Sequence, residues 1–176
     1  HARELMPPMV WQPAYVALGS NLDDPRRQVE KAFRELAGLA DTRLVLRSGL
    51  WRSAPMGPQD QPEFVNAVAG LLTLLEPPAL LEKLRALERR MGKIEPPTRW
   101  GPRLIDLDLL MVGDIQCDEP GLRLPHAGLH QRNFVLYPLA EIAPMLWVPG
   151  HGRVNQLLAG IAGDGIEPLA ARNSGA

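Results

Sequence analysis

The chain has one cysteine, no surplus of either charge, no long apolar run and no glycine-rich phosphate loop, and each shortage removes a class of protein. Cys117 alone cannot form an internal disulfide, so the fold must rest on its core. Nineteen Lys and Arg against 20 Asp and Glu leave a net charge of -1. No global basic field exists to attract nucleic acid, and any anion must be gripped locally. No apolar stretch approaches the roughly 20 residues of a membrane-spanning helix, and the opening HARELMPPMVWQPA lacks the apolar segment of a signal peptide. A cytoplasmic monomer without membrane or nucleic-acid partners is the expectation. GxxxxGK(S/T) is missing, as is a kinase glycine loop with HRD and DFG companions, so nucleotide phosphates would have to be held by side chains and metal. His126 and His130 have no Cys or HExxH companion, which argues against zinc.

What is present suffices for one domain. A chain of 176 residues, 45% of them hydrophobic, can bury a core without staples. The domain is expected over 14–162, with 1–13 and 163–176 as flexible termini. AYVAL (14–18) reads as a first strand. Asp24 is a good N-cap with Pro25 at the first helical position, and Val29, Phe33, Leu36 and Ala40 repeat at helical spacing. TRLVLRSGLWRS (42–53) and FVNAVAGLLTLL (64–75) read as two long strands joined by the Pro/Gly-rich APMGPQDQP. A second helix begins near Pro77-Pro78, carries Leu80, Leu81, Leu84, Leu87 and Met91 on one stripe, and ends at Gly92. With one more strand after it, the order is that of an α+β, ferredoxin-like βαββαβ antiparallel sheet. Both helices are expected on one face and the other face free, with an irregular C-terminal extension after Gly113-Asp114.

The last strand is the most informative segment. Residues 99–112, RWGPRLIDLDLLMV, read as a strand entered through a Trp-Gly-Pro corner with an arginine on each side. Alternation sends Ile105, Leu107, Leu109 and Met111 one way and Leu104, Asp106, Asp108 and Leu110 the other. The Cα atoms of Asp106 and Asp108 then lie roughly 6.5 to 7 Å apart, close enough for both carboxylates to converge on a hard cation. An exposed sheet face can also carry two charges without any ligand. Arg99 and Arg103 favour the chemical reading, because guanidinium groups beside carboxylate-held Mg²⁺ are what phosphoryl transfer requires.

Phe64 and Asn66 share a face of the preceding strand, an aromatic platform beside an amide that could match a heterocycle's polar edge. Taken alone, the pair reads first as ordinary sheet packing. Phe134 reads as a core aromatic, and His126, His130 and Arg132 as donors to phosphate or as a solvated loop.

Taken together, YVALGSNL, GPQDQPEFVNAV, RWGPRLIDLDLL and PHAGLHQRNFVLYPLAEIAP resemble hydroxymethyl-dihydropterin pyrophosphokinase of folate biosynthesis, in one unbroken order over residues 14–150. The resemblance implies transfer of pyrophosphate from ATP to 6-hydroxymethyl-7,8-dihydropterin with release of AMP, on a ferredoxin-like sheet with two Mg²⁺. It makes Asp106 and Asp108 the metal ligands and, with Arg99 and Arg103, the catalytic set. Phe64 and Phe134 would sandwich the pterin, Asn66 would read its edge, and Ala54, Pro55, Met56 and Trp100 would complete that pocket. Glu88, Lys93, Arg99, Arg103, His126 and Arg132 would serve ATP. Three departures stand out: Phe64 replaces a common tyrosine, Glu95 falls where some relatives have arginine, and Gly121 sits near another frequent arginine. Pro96-Pro97 should stiffen the closing loop.

Two other classes fit parts of the sequence. Ferredoxin-like sheets also bind single-stranded RNA, but this chain lacks the RNP aromatics and a basic face. A two-metal nuclease is compatible with the two aspartates alone.

Overall fold

The computed structural model describes residues 10–55, 60–94 and 101–170. Strand β1 (Gln12–Ser20) buries Ala14, Val16 and Leu18 on one side and turns Tyr15, Ala17 and Gly19 to the other. At the start of helix α1 (Pro25–Ala37), Asp24 Oδ1 accepts the Arg27 N–H at 3.5 Å, and Pro25 sits where a missing donor costs nothing. Val29, Ala32, Phe33 and Leu36 form its buried face.

The single strand expected over 42–53 is two, β2 (Thr42–Arg47) and β3 (Trp51–Ser53). Ser48 explains the break. Its N–H donates to Val68 O and its Oγ accepts the Val68 N–H, both at 2.9 Å, so a side chain takes a place in the ladder and the backbone steps out before pairing resumes. Both strands pair antiparallel with β4 (Phe64–Thr73). Helix α2 (Pro77–Arg90) buries Leu80, Leu84 and Leu87, and Gly92, at φ +102°, makes the left-handed turn out of it.

Strand β5 begins only at Asp106 (Asp106–Val112) and pairs antiparallel with β1. The main sheet runs β3-β4-β1-β5 with β2 also on β4, the ferredoxin-like order read from the sequence. Helices α1 and α2 cover one face, where Phe33, Leu84 and Leu87 pack in one cluster with Val16, Leu18, Ala67 and Leu107.

The opposite face is not free along its whole length. After the hairpin β6 (Cys117–Glu119) and β7 (Leu122–Leu124), a 3₁₀ turn leads into α3 (Asn133–Ile142). Val135, Leu136 and Leu139 of α3 bury against Val68 and Leu110, because that half of the face is apolar. The half carrying Asp106, Asp108, Gly19 and Asn66 remains for the site. A register shift also corrects the place of Met111: Tyr15 pairs with Met111 but Val16 with Leu109, so Leu110 is extra. Met111 therefore joins Leu110 beneath α3, and Val112 takes the other face.

Helix α3 is followed by hairpin β8 (Trp147–Val148) and β9 (Gly152–Arg153), helix α4 (Val154–Ala159) and β10 (Ile166–Pro168). β10 pairs with β3 and extends the main sheet, and Gln12 and Pro13 belong to β1, so sheet structure reaches into both segments expected to be flexible.

Candidate active site

Asn66, Gly19 and Asp106 form one row across β4, β1 and β5, with Val68, Ala17 and Asp108 in a parallel row two residues on. Gly19 gives the first row a bare floor; a Cβ there would come within 3.6 Å of Asn66 Oδ1 and 3.9 Å of Phe64 Cδ1. Above this floor is a cavity of about 410 Å³. It brings together Ala54, Phe64, Asn66, Lys93, Arg103, Asp106, Asp108, His126, Arg132 and Phe134, all singled out in the sequence. One part is aromatic and amide, the other carboxylate and cation.

On the aromatic side, the Asn66 amide is buried and its Nδ2 donates to Ser53 Oγ at 2.7 Å, which fixes its orientation. Phe134 stands in the first turn of α3, where it packs against the core cluster beneath that helix and also lines the cavity. The Arg132 guanidinium lies 5.8 Å from its ring centroid. Arg132 reaches this position by lying across Gly128, where any Cβ would collide with the guanidinium chain.

On the charged side, Lys93 Nζ donates to Asp106 Oδ1 at 2.8 Å and to Glu88 Oε2 at 3.1 Å. Burial alone would lower the Lys93 pKa, but the hydrogen bond and charge of Asp106, then those of Glu88, outweigh it and raise it. The ammonium is therefore a fixed positive charge. Arg103 Nη1 is 3.8 Å from the same Asp106 oxygen. His126 Nδ1 accepts the Gly128 N–H at 3.1 Å, which leaves Nε2 to carry the proton of the neutral ring. Burial pushes its pKa down first of all, Asp108 pulls it up, and Arg132, Arg85 and Arg123 push it down again. His126 is thus a neutral ring that turns an Nε2–H donor to the cavity lining.

The donor set suits Mg²⁺. Asp106 and Asp108 offer hard oxygen donors to the cavity, and the described residues contain no cluster of three or more His, Cys, Asp or Glu that could cage a metal alone. Mg²⁺ is commonly held by one or two carboxylates with substrate phosphates completing its sphere.

Other expectations are placed differently. Glu88 is buried and does not line the cavity; its carboxylate is spent on Arg85, Lys93 and the Leu107 N–H. His130 lies outside the cavity and stacks on His151 with centroids 3.8 Å apart. Pro55 is buried. Met56, Glu95, Arg99 and Trp100 fall outside the described residues. Three participants went unread in the sequence. Arg85 borders the cavity from α2, with only its spacing of three from Glu88 as a signal. Ser53 orients Asn66, and Asn21 bonds both the Arg103 backbone and the segment at Gln61 and Pro62. A second hollow of about 370 Å³ adjoins the first, sharing Arg85, Asp108 and His126. Gly121 opens there with no side chain, and Arg123, two residues on, supplies positive charge beside it.

The sequence pattern of the 7,8-dihydro-6-hydroxymethylpterin-pyrophosphokinase (HPPK) family matches residues 15–144, which include every residue lining the cavity. The chain belongs to this family. Among its relatives, the 2-amino-4-hydroxy-6-hydroxymethyldihydropteridine pyrophosphokinase of Pseudomonas aeruginosa is 48% identical over 158 residues, 90% of this chain and 97% of that protein. The Haemophilus influenzae enzyme of the same name is 42% identical over 145 residues, 82% of this chain and 90% of that protein. The fold also matches a Plasmodium falciparum HPPK-DHPS chain solved with pteroate, at a TM-score of 0.68 and 12% identity over 91% of this chain. This chain spans 45% of that longer one. The HPPK family is one of pyrophosphokinase enzymes, and no described helix here is long and apolar enough to cross a membrane.

Proposed function

We propose that this chain transfers pyrophosphate from ATP to the hydroxymethyl group of 6-hydroxymethyl-7,8-dihydropterin, a step of folate biosynthesis, as one domain widened from the expected 14–162 to include β1 and β10. The observation that carries the reading is the single cavity joining Phe64, Asn66 and Phe134 to Asp106, Asp108, Lys93, Arg103 and Arg132. A flat heterocycle with a polar edge fits the first group and a polyphosphate the second. The names of the bacterial relatives support the same substrate.

Phe64 and Phe134 stack the pterin, and Asn66, pinned by Ser53, reads its edge. Lys93, Arg103, Arg132 and His126 Nε2 hold the phosphates, and the nucleoside extends toward the hollow beside Arg85 and Arg123; Arg99 and Trp100 keep the roles that the family resemblance implies. Asp106 and Asp108 would hold the two Mg²⁺ that the resemblance implies, and the metal would supply neutralisation of phosphate charge. The pterin hydroxyl oxygen bonds to the β-phosphorus in line, and the bond from that phosphorus to the α,β-bridging oxygen breaks. AMP leaves with that oxygen and the electron pair, and the hydroxyl proton passes to water. The residues thus work by positioning and by fixed charge.

The test is the stoichiometry of AMP and diphosphorylated pterin, resolved by ion-exchange chromatography with Mg²⁺ and ATP, with and without the hydroxymethyl pterin. Equal amounts of both products, formed only when pterin is present, are expected. AMP or nucleotide release without pterin would overturn the assignment in favour of a hydrolase.

A further inference from the structure

Leu107 lies between the two aspartates, and its backbone is held from outside the sheet. β5 is the last strand of the main sheet on its side, with β1 as its neighbour there. In an antiparallel pair every second residue of such a strand turns its N–H and C=O outward. At Leu107 helix α2 takes up both. The Leu107 N–H donates to Glu88 Oε2 and the Leu107 C=O accepts from Arg85 Nη1, each at 2.8 Å. Arg85 Nη1 also donates to Glu88 Oε1 at 2.8 Å, so the two side chains are locked to each other as well as to the strand. Two residues one helical turn apart do for Leu107 what a further strand would do.

Glu88 is 2% exposed, and a carboxylate so deeply buried is costly unless paired and fully hydrogen-bonded. Here it accepts from the Arg85 guanidinium, the Lys93 ammonium and the Leu107 N–H. None of these partners belongs to a ligand. The Leu107 side chain is wholly buried in the cluster that holds Leu84 and Leu87, so this residue is fixed through both its backbone and its side chain. The residues on either side of a fixed peptide unit inherit its position.

We propose that Glu88 and Arg85 are positioning residues that set the separation and aim of Asp106 and Asp108 by clamping the peptide groups of Leu107. The proposal rests on the reading of the two aspartates as Mg²⁺ ligands, and it gives Glu88 a different task from contact with the nucleotide. Groups that orient metal ligands without touching the metal commonly change metal affinity by about 10- to 100-fold when removed.

The test compares Glu88→Ala, Glu88→Gln and Arg85→Met with wild type and with Asp108→Ala as the reference for a lost ligand. Mn²⁺ binding to the complex with a non-hydrolysable ATP analogue is measured by electron paramagnetic resonance, and the Leu107 amide is followed by NMR hydrogen exchange. Glu88→Ala should weaken Mn²⁺ binding by about 10- to 100-fold, and its Leu107 amide should exchange faster, while pterin affinity stays at the wild-type value. Glu88→Gln should lie between, since its carbonyl oxygen can still accept the Leu107 N–H. A purely structural role would lower thermal stability without this selective loss of metal. Wild-type Mn²⁺ affinity in Glu88→Ala with a faster-exchanging Leu107 amide would overturn the proposal. If Glu88→Ala does not fold, Arg85→Met decides, and an unchanged Mn²⁺ affinity there overturns it equally. If Asp108→Ala also binds Mn²⁺ normally, the metal reading itself fails.

Discussion

Asn21 and Arg103 exchange two hydrogen bonds at the edge of the site: the Asn21 N–H donates to Arg103 O at 2.9 Å, and Asn21 Oδ1 accepts the Arg103 N–H at 2.6 Å. Asn21 Nδ2 also donates to Gln61 Oε1 and to Pro62 O, each at 3.0 Å. One buried amide thus joins the end of β1 to both segments flanking the cavity. Asn21→Ala leaves the Arg103 N–H and Pro62 O without these partners, and a loss of about 1–3 kcal/mol is expected from the unmade bonds. Urea denaturation measures it. A midpoint equal to wild type would show that water replaces the amide at no cost.

Phe64→Ala should weaken pterin binding by about 1–3 kcal/mol, the range for stacking of a base on an aromatic side chain, and leave ATP affinity nearly unchanged. Phe64 lines the cavity beside Asn66 and Gly19. Calorimetric titration of each ligand separates the two effects. An equal loss for both ligands would mark Phe64 as a packing residue.

Arg103→Ala should lower the single-turnover rate by at least about tenfold, equivalent to about 1.4 kcal/mol in the barrier, with a smaller change in pterin affinity. The guanidinium stands 3.8 Å from Asp106 Oδ1, on the side of the cavity to which the proposed function assigns the phosphates, and a fixed cation there would stabilise charge that develops during transfer. Rapid-quench measurements at saturating substrates decide it. An unchanged chemical rate with a large loss of ATP binding would make Arg103 a static anchor.

Stability should fall as pH drops below about 6.5. The pKa of His130 is pushed down, by burial first and then by the charges of His151 and Arg123, and His126 is shifted the same way. The folded protein therefore binds fewer protons than the unfolded chain just below the ordinary histidine value. The contribution is fully present above that value and is lost as pH falls toward the folded pKa. His130→Phe keeps a ring on His151 and removes one titrating group, so its melting temperature should decline less steeply between pH 7 and 5. An identical slope would show that His130 does not contribute to the pH dependence in this range.

Local signals carried much of this fold. Asp24-Pro25 starts α1, the leucine stripe buries α2, and alternation places Asp106 and Asp108 on the face opposite Leu107. What escaped the sequence depends on partners distant along the chain. Ser48 reads as an ordinary strand residue until Val68 is beside it, and Leu110 gives no sign of being the extra residue in a bulge. The apolar run of α3 is visible, yet only packing shows that it covers Val68 and Leu110 and turns Phe134 toward the cavity. Arg85 and Glu88 show in the sequence only their spacing of three, and their attachment to Leu107 exists only because α2 lies along the free edge of β5.

The pairing of β10 with β3 joins Ile166 to Ser53, and the Ala54 N–H donates to Gly165 O at 3.2 Å, so one wall of the cavity is secured by contacts more than a hundred residues apart. Closing so long a loop is entropically expensive before any compensating contact forms. The hairpin of β3 and β4 is far more local, and it can assemble with Phe64 and Asn66 already in register while Ala54 is still untethered. This wall of the cavity is consequently completed late in folding, and a nascent chain stopped short of β10 would hold its central strands together without a finished pocket.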